Sequence, residues 1–365
     1  MISYSEFEQK QHVIQILLDR HQLNALILQR VSSFAWATCG AASYINMAVT
    51  DGTASLIVTP GARYLVTTNI EAPRLEQEEK LKEQGWEFHP YPWHQSPEVI
   101  GKLTSGWKLG ADGPFPGAVD LSAEMARLRA SLMPEEGERF RNLGRLCAEA
   151  MDAAIRAIHP RQSEYEIAGR LAWEAESRGA QAIVNLIATD ERIYKYRHPL
   201  PTSKKMERYA LLVLCGRKWG LVCSITRLVH FGSLPTELRR KAEATAMIDA
   251  TFIAETRPGT FLRDIFSRAV EAYAARNYPG EWQLHHQGGP AGYEPREFIA
   301  MPASPDVVLV GQAYAWNPSI TGTKSEDTIL VGESGNEVLT IIPGWPVYAV
   351  EVGGKEYLRP AILEM

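Results

Sequence analysis

The chain has 365 residues, 45% of them hydrophobic and 22% charged, which is enough for a large core and two domains. Its formal net charge of −5 and pI near 6.0 give no general electrostatic attraction to nucleic acid or to an anionic membrane. No stretch approaches the roughly 20 apolar residues needed to span a bilayer, and four scattered cysteines, Cys39, Cys147, Cys215 and Cys223, exclude a disulfide framework or a zinc knuckle.

The opening, M-I-S-Y-S-E-F-E-Q-K, has no basic-then-apolar run, so no secretion signal is expected and the reducing cytoplasm is the default compartment. Ser5 to His21 reads as an amphipathic helix, with Phe7, Val13, Ile14, Leu17 and Leu18 near helical spacing. Asn24 to Gln29, Gly52 to Val58 and Arg63 to Thr68 read as strands separated by Gly and Pro signals. Ile70 to Gln84 is expected as a second helix and Trp107 to Ala111 as a short strand. These elements make a small α/β domain, residues 1–132. The aromatic run Tyr91-Pro92-Trp93-His94 suits an exposed contact between chains as well as a loop packed on its own domain.

At Met133-Pro134-Glu135-Glu136 proline and acidic residues form a helix start before a long periodic run to Ile158, and a second domain, residues 133–365, begins here. Ser163 with Glu166 fits a capping box opening another helix, with Gly179 placed to close it. Strands are expected at Ala210 to Leu214, Gly220 to Arg227 and Asp306 to Val310, and helices at Thr236 to Glu255 and Thr260 to Arg276.

Two stretches carry a family resemblance. Val213 to Gly232 reads V-L-C-G-R-K-W-G-L-V-C-S-I-T-R-L-V-H-F-G, and A-W-N-P-S-I with G-T-K-S-E-D-T-I-L-V follows later. Together they resemble the creatinase, aminopeptidase P and methionine aminopeptidase superfamily. The resemblance implies an α+β chain: a small N-terminal creatinase- or prolidase-type domain, then a pseudo-symmetric "pita-bread" domain. In that family's usual form two aspartates, a histidine and two glutamates hold two metal ions. Gly220, Thr226 and Arg227 match the frame here, but Val213 and Ser224 stand where the aspartates belong, Asn317 where the first glutamate does, and Gly289 where the ligand histidine does. Glu326 alone is kept. Valine offers no lone pair and one carboxylate does not balance two dications, so no metal or other cofactor is expected.

The resemblance also points to site residues. His198, in Y-K-Y-R-H-P-L-P-T, resembles the histidine of creatinase, a metal-free member that hydrolyses a guanidino C–N bond. A histidine with a pKa near 6.5 takes a proton from water and returns it to a leaving amine, so His198 is the expected general acid/base; a loop histidine packed before Pro199 is the bland alternative. His285 and His286 lie in Q-L-H-H-Q-G-G-P. Neighbours on a strand point to opposite faces, so one of them, His285 by alignment, is expected in the site. Glu326 either holds a cationic substrate group or forms a structural ion pair with Arg227. Arg197, Arg227, Arg296 and Lys324 supply cations for a carboxylate-bearing substrate, with Asn317, Tyr293 and His286 as further lining. Cys215 and Cys223 read as apolar filler.

The expected function is metal-independent hydrolysis of a C–N bond, of amide, amidine or guanidino type, in a small polar molecule, catalysed by His198, His285 and Glu326. The alternatives are a metal-dependent Xaa-Pro dipeptidase or aminopeptidase, and a non-catalytic peptide- or protein-binding relative. The resemblance further implies a homodimer.

Overall fold

A computed structural model describes residues 5–95 and 98–365. Two compact units emerge: Met1–Arg129 with Trp219–Leu221, and Ala130–Lys218 with Val222–Met365.

In the first unit the Ser5 hydroxyl caps α1 (Glu6–His21), and Glu8 reaches back to the Ser5 backbone at 2.8 Å, a reciprocal capping box. β1 (Ala25–Arg30) leads into α2 (Val31–Ala37), then β2 (Asp51–Val58) and β3 (Arg63–Thr68). Next come α3 (Ala72–Gln77), β4 (Glu87–Tyr91), α4 (Glu98–Leu103), β5 (Leu109–Ala111), β6 (Ala118–Asp120) and α5 (Ser122–Ala130). One mixed sheet of order β4-β3-β2-β1-β5-β6 collects the strands, and Ala25, Ile27, Ile57, Val66 and Ala111 line its apolar core. The helix expected over Ile70 to Gln84 stops at Gln77. Lys80 takes a left-handed φ of 55°, which an α-helix cannot contain, and the chain finishes the segment in turns that bury Leu81 and Trp86. Trp93 is 63% exposed, with its ring edge-on to His94.

The second unit opens with α6 (Pro134–Ala157), whose start is set by Pro134 and by Glu136 accepting the Met133 N–H at 2.7 Å. The Ser163–Glu166 box opens α7 (Glu164–Glu176), and Gly179, at φ 78°, turns the chain into β7 (Gln181–Thr189). After α8 (Glu191–Lys195) come β8 (Tyr209–Lys218) and β9 (Leu221–His230). Trp219 and Gly220 form the two-residue turn between them at φ 53° and 75°, the mirror-image turn that matches strand twist, which accounts for a glycine at position 220.

Then follow α9 (Thr236–Glu255), α10 (Leu262–Ala275), β10 (Gly288–Ala291), β11 (Ala313–Trp316), β12 (Ser319–Ile320) and β13 (Thr323–Lys324). The remaining strands are β14 (Asp327–Val331), β15 (Asn336–Val338), β16 (Val347–Val352), β17 (Lys355–Pro360) and β18 (Leu363–Glu364). Helix-helix-strand-strand thus occurs twice in order. α6 and α7 pack on β7 and β8, which belong to the sheet β18-β9-β8-β7; α9 packs on α10 and β11 beside the sheet β10-β11-β14-β15. An isolated bridge, Thr226 to Glu326, joins the two sheets. Phe252, Tyr314 and Trp316 stack in the second half's core at centroid separations of 4.6 and 5.5 Å. The strand expected at Asp306 to Val310 is a single bridge, Val307 to Phe261; Leu309 and Val310 beyond it are half exposed and pair with nothing as a strand. No helix among the described residues is long and apolar enough to cross a membrane.

Candidate functional site

β10 and β14 both run antiparallel to β11, so the entry to β10, the exit from β11 and the entry to β14 lie at one edge of the sheet. His285 and His286 precede β10, Asn317 follows β11, and Glu326 precedes β14. β9 adds Ser224 and Thr226, two residues apart and so on one face. β10 reaches this close approach through Gly288: at φ 104°, a Cβ there would lie 2.1 Å from the Ala315 carbonyl oxygen. A Cβ at Gly289 would meet the Phe298 carbonyl oxygen at 2.4 Å, so this position has no room for a histidine.

Glu326 is buried and carries two cations. Its Oε1 accepts from Arg296 Nη2 at 2.8 Å; its Oε2 accepts from Lys324 Nζ at 2.6 Å and from the Thr226 hydroxyl at 2.5 Å. Burial alone would raise the carboxyl pKa, but Lys324 and Arg296 outweigh it and hold the group far below the usual carboxylate range. Arg296 Nη1 also donates to Ser224 Oγ at 3.1 Å. The guanidinium therefore spans the positions that the resemblance assigns to a lost aspartate and a kept glutamate.

The ion pair with Arg227, the alternative reading of Glu326, does not form. Arg227 is 3% exposed and gives Nη2 to Asp327 at 2.8 Å and to the Thr340 carbonyl at 3.0 Å, reaching only the backbone oxygen of Glu326. Its substrate-binding role falls with that, because a buried guanidinium committed to Asp327 is a core strut. Tyr293 is corrected likewise: it is buried, and its hydroxyl donates to Glu136 at 2.5 Å. Arg197 is partly exposed, and its Nη2 donates to Glu281 at 2.6 Å and Thr321 at 3.0 Å, pinning the loop that carries His198 beside the turn that carries His285.

His198 is exposed, next to buried Pro199. Its Nε2 lies 3.0 Å from His285 Nε2, and its ring centroid is 4.8 Å from that of His285 and 5.5 Å from that of His286. The rule that only one of His285 and His286 enters does not hold. These residues form a bend after the short 3-10 turn Glu281–Leu284, outside any strand, so strand alternation does not apply and their rings lie 4.5 Å apart. Gln287 locks the bend by donating to the His285 carbonyl at 2.7 Å and the Trp282 carbonyl at 3.0 Å. One nitrogen from each of the three histidines falls within 4.8 Å of the others. Among the described residues, the Nδ1 atoms of His285 and His286 and the Oδ1 of Asn317 are buried without a hydrogen-bond partner.

Burial first, then Lys324 and the neighbouring imidazoles, push His285 down to about 2; burial, Arg296, His198 and Lys324 push His286 down to about 4. His198, exposed at one side of its ring, is lowered too, by the desolvation of the side packed in the cluster and by Lys324. All three imidazoles are therefore neutral at pH 7, and in the His198–His285 contact one ring donates its N–H to the lone pair of the other. Cys215, against Ser224 Oγ at 3.3 Å, is raised by burial to about 11, so it is no thiolate nucleophile.

The profile of metallopeptidase family M24 matches residues 138–333, more than half of the chain. The chain belongs to metallopeptidase family M24. Among curated proteins it is similar to an agropine synthesis cyclase of Rhizobium rhizogenes, 30% identical over 39% of this chain and 39% of that protein. It is also similar to an Xaa-Pro dipeptidase of Pyrococcus furiosus, 26% identical over 58% of this chain and 64% of that one. The matches span less than two thirds of either relative's length. The fold matches the prolidase of Pyrococcus horikoshii with a TM-score of 0.79 at 19% identity, over 92% of this chain and 98% of that one. This M24 chain therefore has the expected pita-bread superfamily fold with a prolidase-like two-domain architecture. Thr226 and Ser224, named in the sequence as a matched frame residue and a lost-ligand position but not as site residues, contact Glu326 and Arg296; their place on alternate positions of a T-R strand was the available signal.

Proposed function

We propose that the chain hydrolyses a C–N bond, of amide, amidine or guanidino type, in a small carboxylate-bearing molecule, and does so without the dinuclear metal centre of its family. The observation that carries this reading is the cation pair on Glu326. A dinuclear centre needs several carboxylates. At the corresponding positions this chain has Val213, in an apolar cluster with Leu211 and Leu228, then Ser224, Asn317, Gly289 and a Glu326 already bound by Arg296 and Lys324. That donor set does not fit two metal ions, and no step is routed through them.

In this reading neutral His198 takes a proton from the attacking water and returns it to the leaving nitrogen. His285, at 3.0 Å, holds the His198 ring in place. Arg296 and Lys324, each held by Glu326, leave the site one net positive charge for the substrate carboxylate or for the oxyanion that develops on the attacked carbon, supplying from fixed side chains the charge that metal ions supply elsewhere. The relative named a cyclase extends the assay to ring closure, in which an internal nucleophile replaces water and the same histidine carries the proton.

A second reading, a metal-dependent Xaa-Pro dipeptidase, is favoured by the similarity to the Pyrococcus furiosus protein of that name. One experiment separates the two. Chelator-treated protein is offered small guanidino and amide acids and Xaa-Pro dipeptides, with and without Mn²⁺ or Co²⁺. Turnover of the former that survives chelation is expected. Turnover confined to Xaa-Pro dipeptides and to added metal overturns the first reading.

A further inference from the structure

We infer that His198, His285 and His286 form a mononuclear binding site for a borderline transition-metal ion such as Zn²⁺ or Co²⁺, a site separate in its ligands from the carboxylate centre of the family. This goes beyond the hydrolytic reading and does not rest on it. Three imidazoles from two segments of chain converge so that one nitrogen of each lies within 4.8 Å of the others. A tetrahedral ion with metal–nitrogen bonds of about 2.0–2.1 Å sets two ligand nitrogens about 3.4 Å apart. His198 and His285 present their Nε2 atoms 3.0 Å apart, so that pair opens by a few tenths of an ångström, while the set as a whole, spread over 4.8 Å, draws in by about 1 Å to seat the ion. His285 and His286 belong to a bend held by Gln287, which keeps both rings on the same side, while His198 comes from a loop tied down by Arg197. The site is therefore partly built before the ion arrives.

The choice of ion follows from the ligands. Three nitrogens without a carboxylate suit Zn²⁺, Co²⁺, Ni²⁺ or Cu²⁺ and do not suit Mg²⁺ or Ca²⁺, which take oxygen. The buried Nδ1 atoms of His285 and His286 have no partner, so this cluster holds ring nitrogens that the protein itself does not satisfy. The charges that face it are Lys324, Arg296 and Glu326. They sum to +1, and three neutral ligands leave the ion its full double charge. The fourth position consequently takes an anion, hydroxide or a carboxylate, and His198, the exposed member of the three, faces the side from which it enters.

The test uses full-length, tag-free protein stripped with chelator and titrated with Co²⁺, reading the visible bands of the tetrahedral ion, with Zn²⁺ as competitor. Saturation at one equivalent and displacement by Zn²⁺ are expected. Binding should weaken more than about a hundredfold in His285→Asn, in His286→Asn and in His198→Asn, and stay unchanged in His94→Asn, a change at an exposed histidine of the first unit. His198→Asn, at the exposed member, keeps the test decisive if the His285 or the His286 variant fails to fold. Absence of tetrahedral Co²⁺ bands, or bands that persist in all three variants, overturns the inference. Activity measured alongside separates it from the proposed function: hydrolysis that falls as the site fills is consistent with both, because the ion takes the lone pair of His198. Hydrolysis that requires the ion keeps the site and overturns the metal-independent chemistry.

Discussion

Glu326 accepts hydrogen bonds from Arg296, Lys324 and Thr226, and the side chains of the three ionic partners are 3–8% exposed, so the carboxylate is what allows two cations to lie buried there. Glu326→Gln keeps the shape and removes the charge. Breaking a buried pair by removing one partner costs about 3–5 kcal/mol, and urea unfolding should show a loss of that size; a loss under 1 kcal/mol would mean the cations find solvent. His198 makes a second residue-scale prediction. Its pKa lies below 6.5, so the neutral base persists as pH falls through 6.5, and the acid limb of kcat/KM should be centred below that value. A limb centred above 6.5 assigns the base elsewhere. Several of these residues were legible in the sequence, because His198, Asn317 and Glu326 sit at motif positions. The burial of Arg227 and Tyr293 was not, since their partners Asp327 and Glu136 lie 100 and 157 residues away along the chain. The convergence of His285 with His286 was missed because it depends on a bend where a strand was assumed.

Helix starts were the most readable elements, because a capping box is a local pattern: Ser163 with Glu166 forms as expected, and Ser5 with Glu8 forms a second box that the sequence reading did not name, at the start of a helix it did expect. The segments Ile70 to Gln84 and Asp306 to Val310 have apolar content without a local stop signal, and tertiary contacts decide them. α6 shows what such contacts demand. A Cβ on Gly144 would lie 2.5 Å from the Leu339 carbonyl oxygen, so the helix packs against that segment only with glycine there. Gly144→Ala improves helix propensity by about 1 kcal/mol and forces backbone apart at a cost of about 1–3 kcal/mol. Net destabilisation in urea is expected, and a stabilised variant would show that the Leu339 segment yields.

For the molecule as a whole, fold class and superfamily followed from two motif blocks, while the homodimer rests on the resemblance those blocks carry and on no residue of its own. Ile45, Met47 and Trp93 in the first unit are 68%, 46% and 63% exposed, apolar surface of the sort that a second copy covers. Sedimentation equilibrium should give a dimer of roughly twice 40.7 kDa, and a monomer across the micromolar range removes that expectation. The ionic chain under Glu326 bears on how the molecule is made. Arg359, on β17, donates to Asp249 at 2.8 Å and to Asp327 at 2.5 Å, all three buried. Both acids leave the ribosome before their shared arginine does. Until β17 emerges, Asp249 and Asp327 lack the arginine they share in the buried core, so the final packing of the nascent second unit waits on that strand.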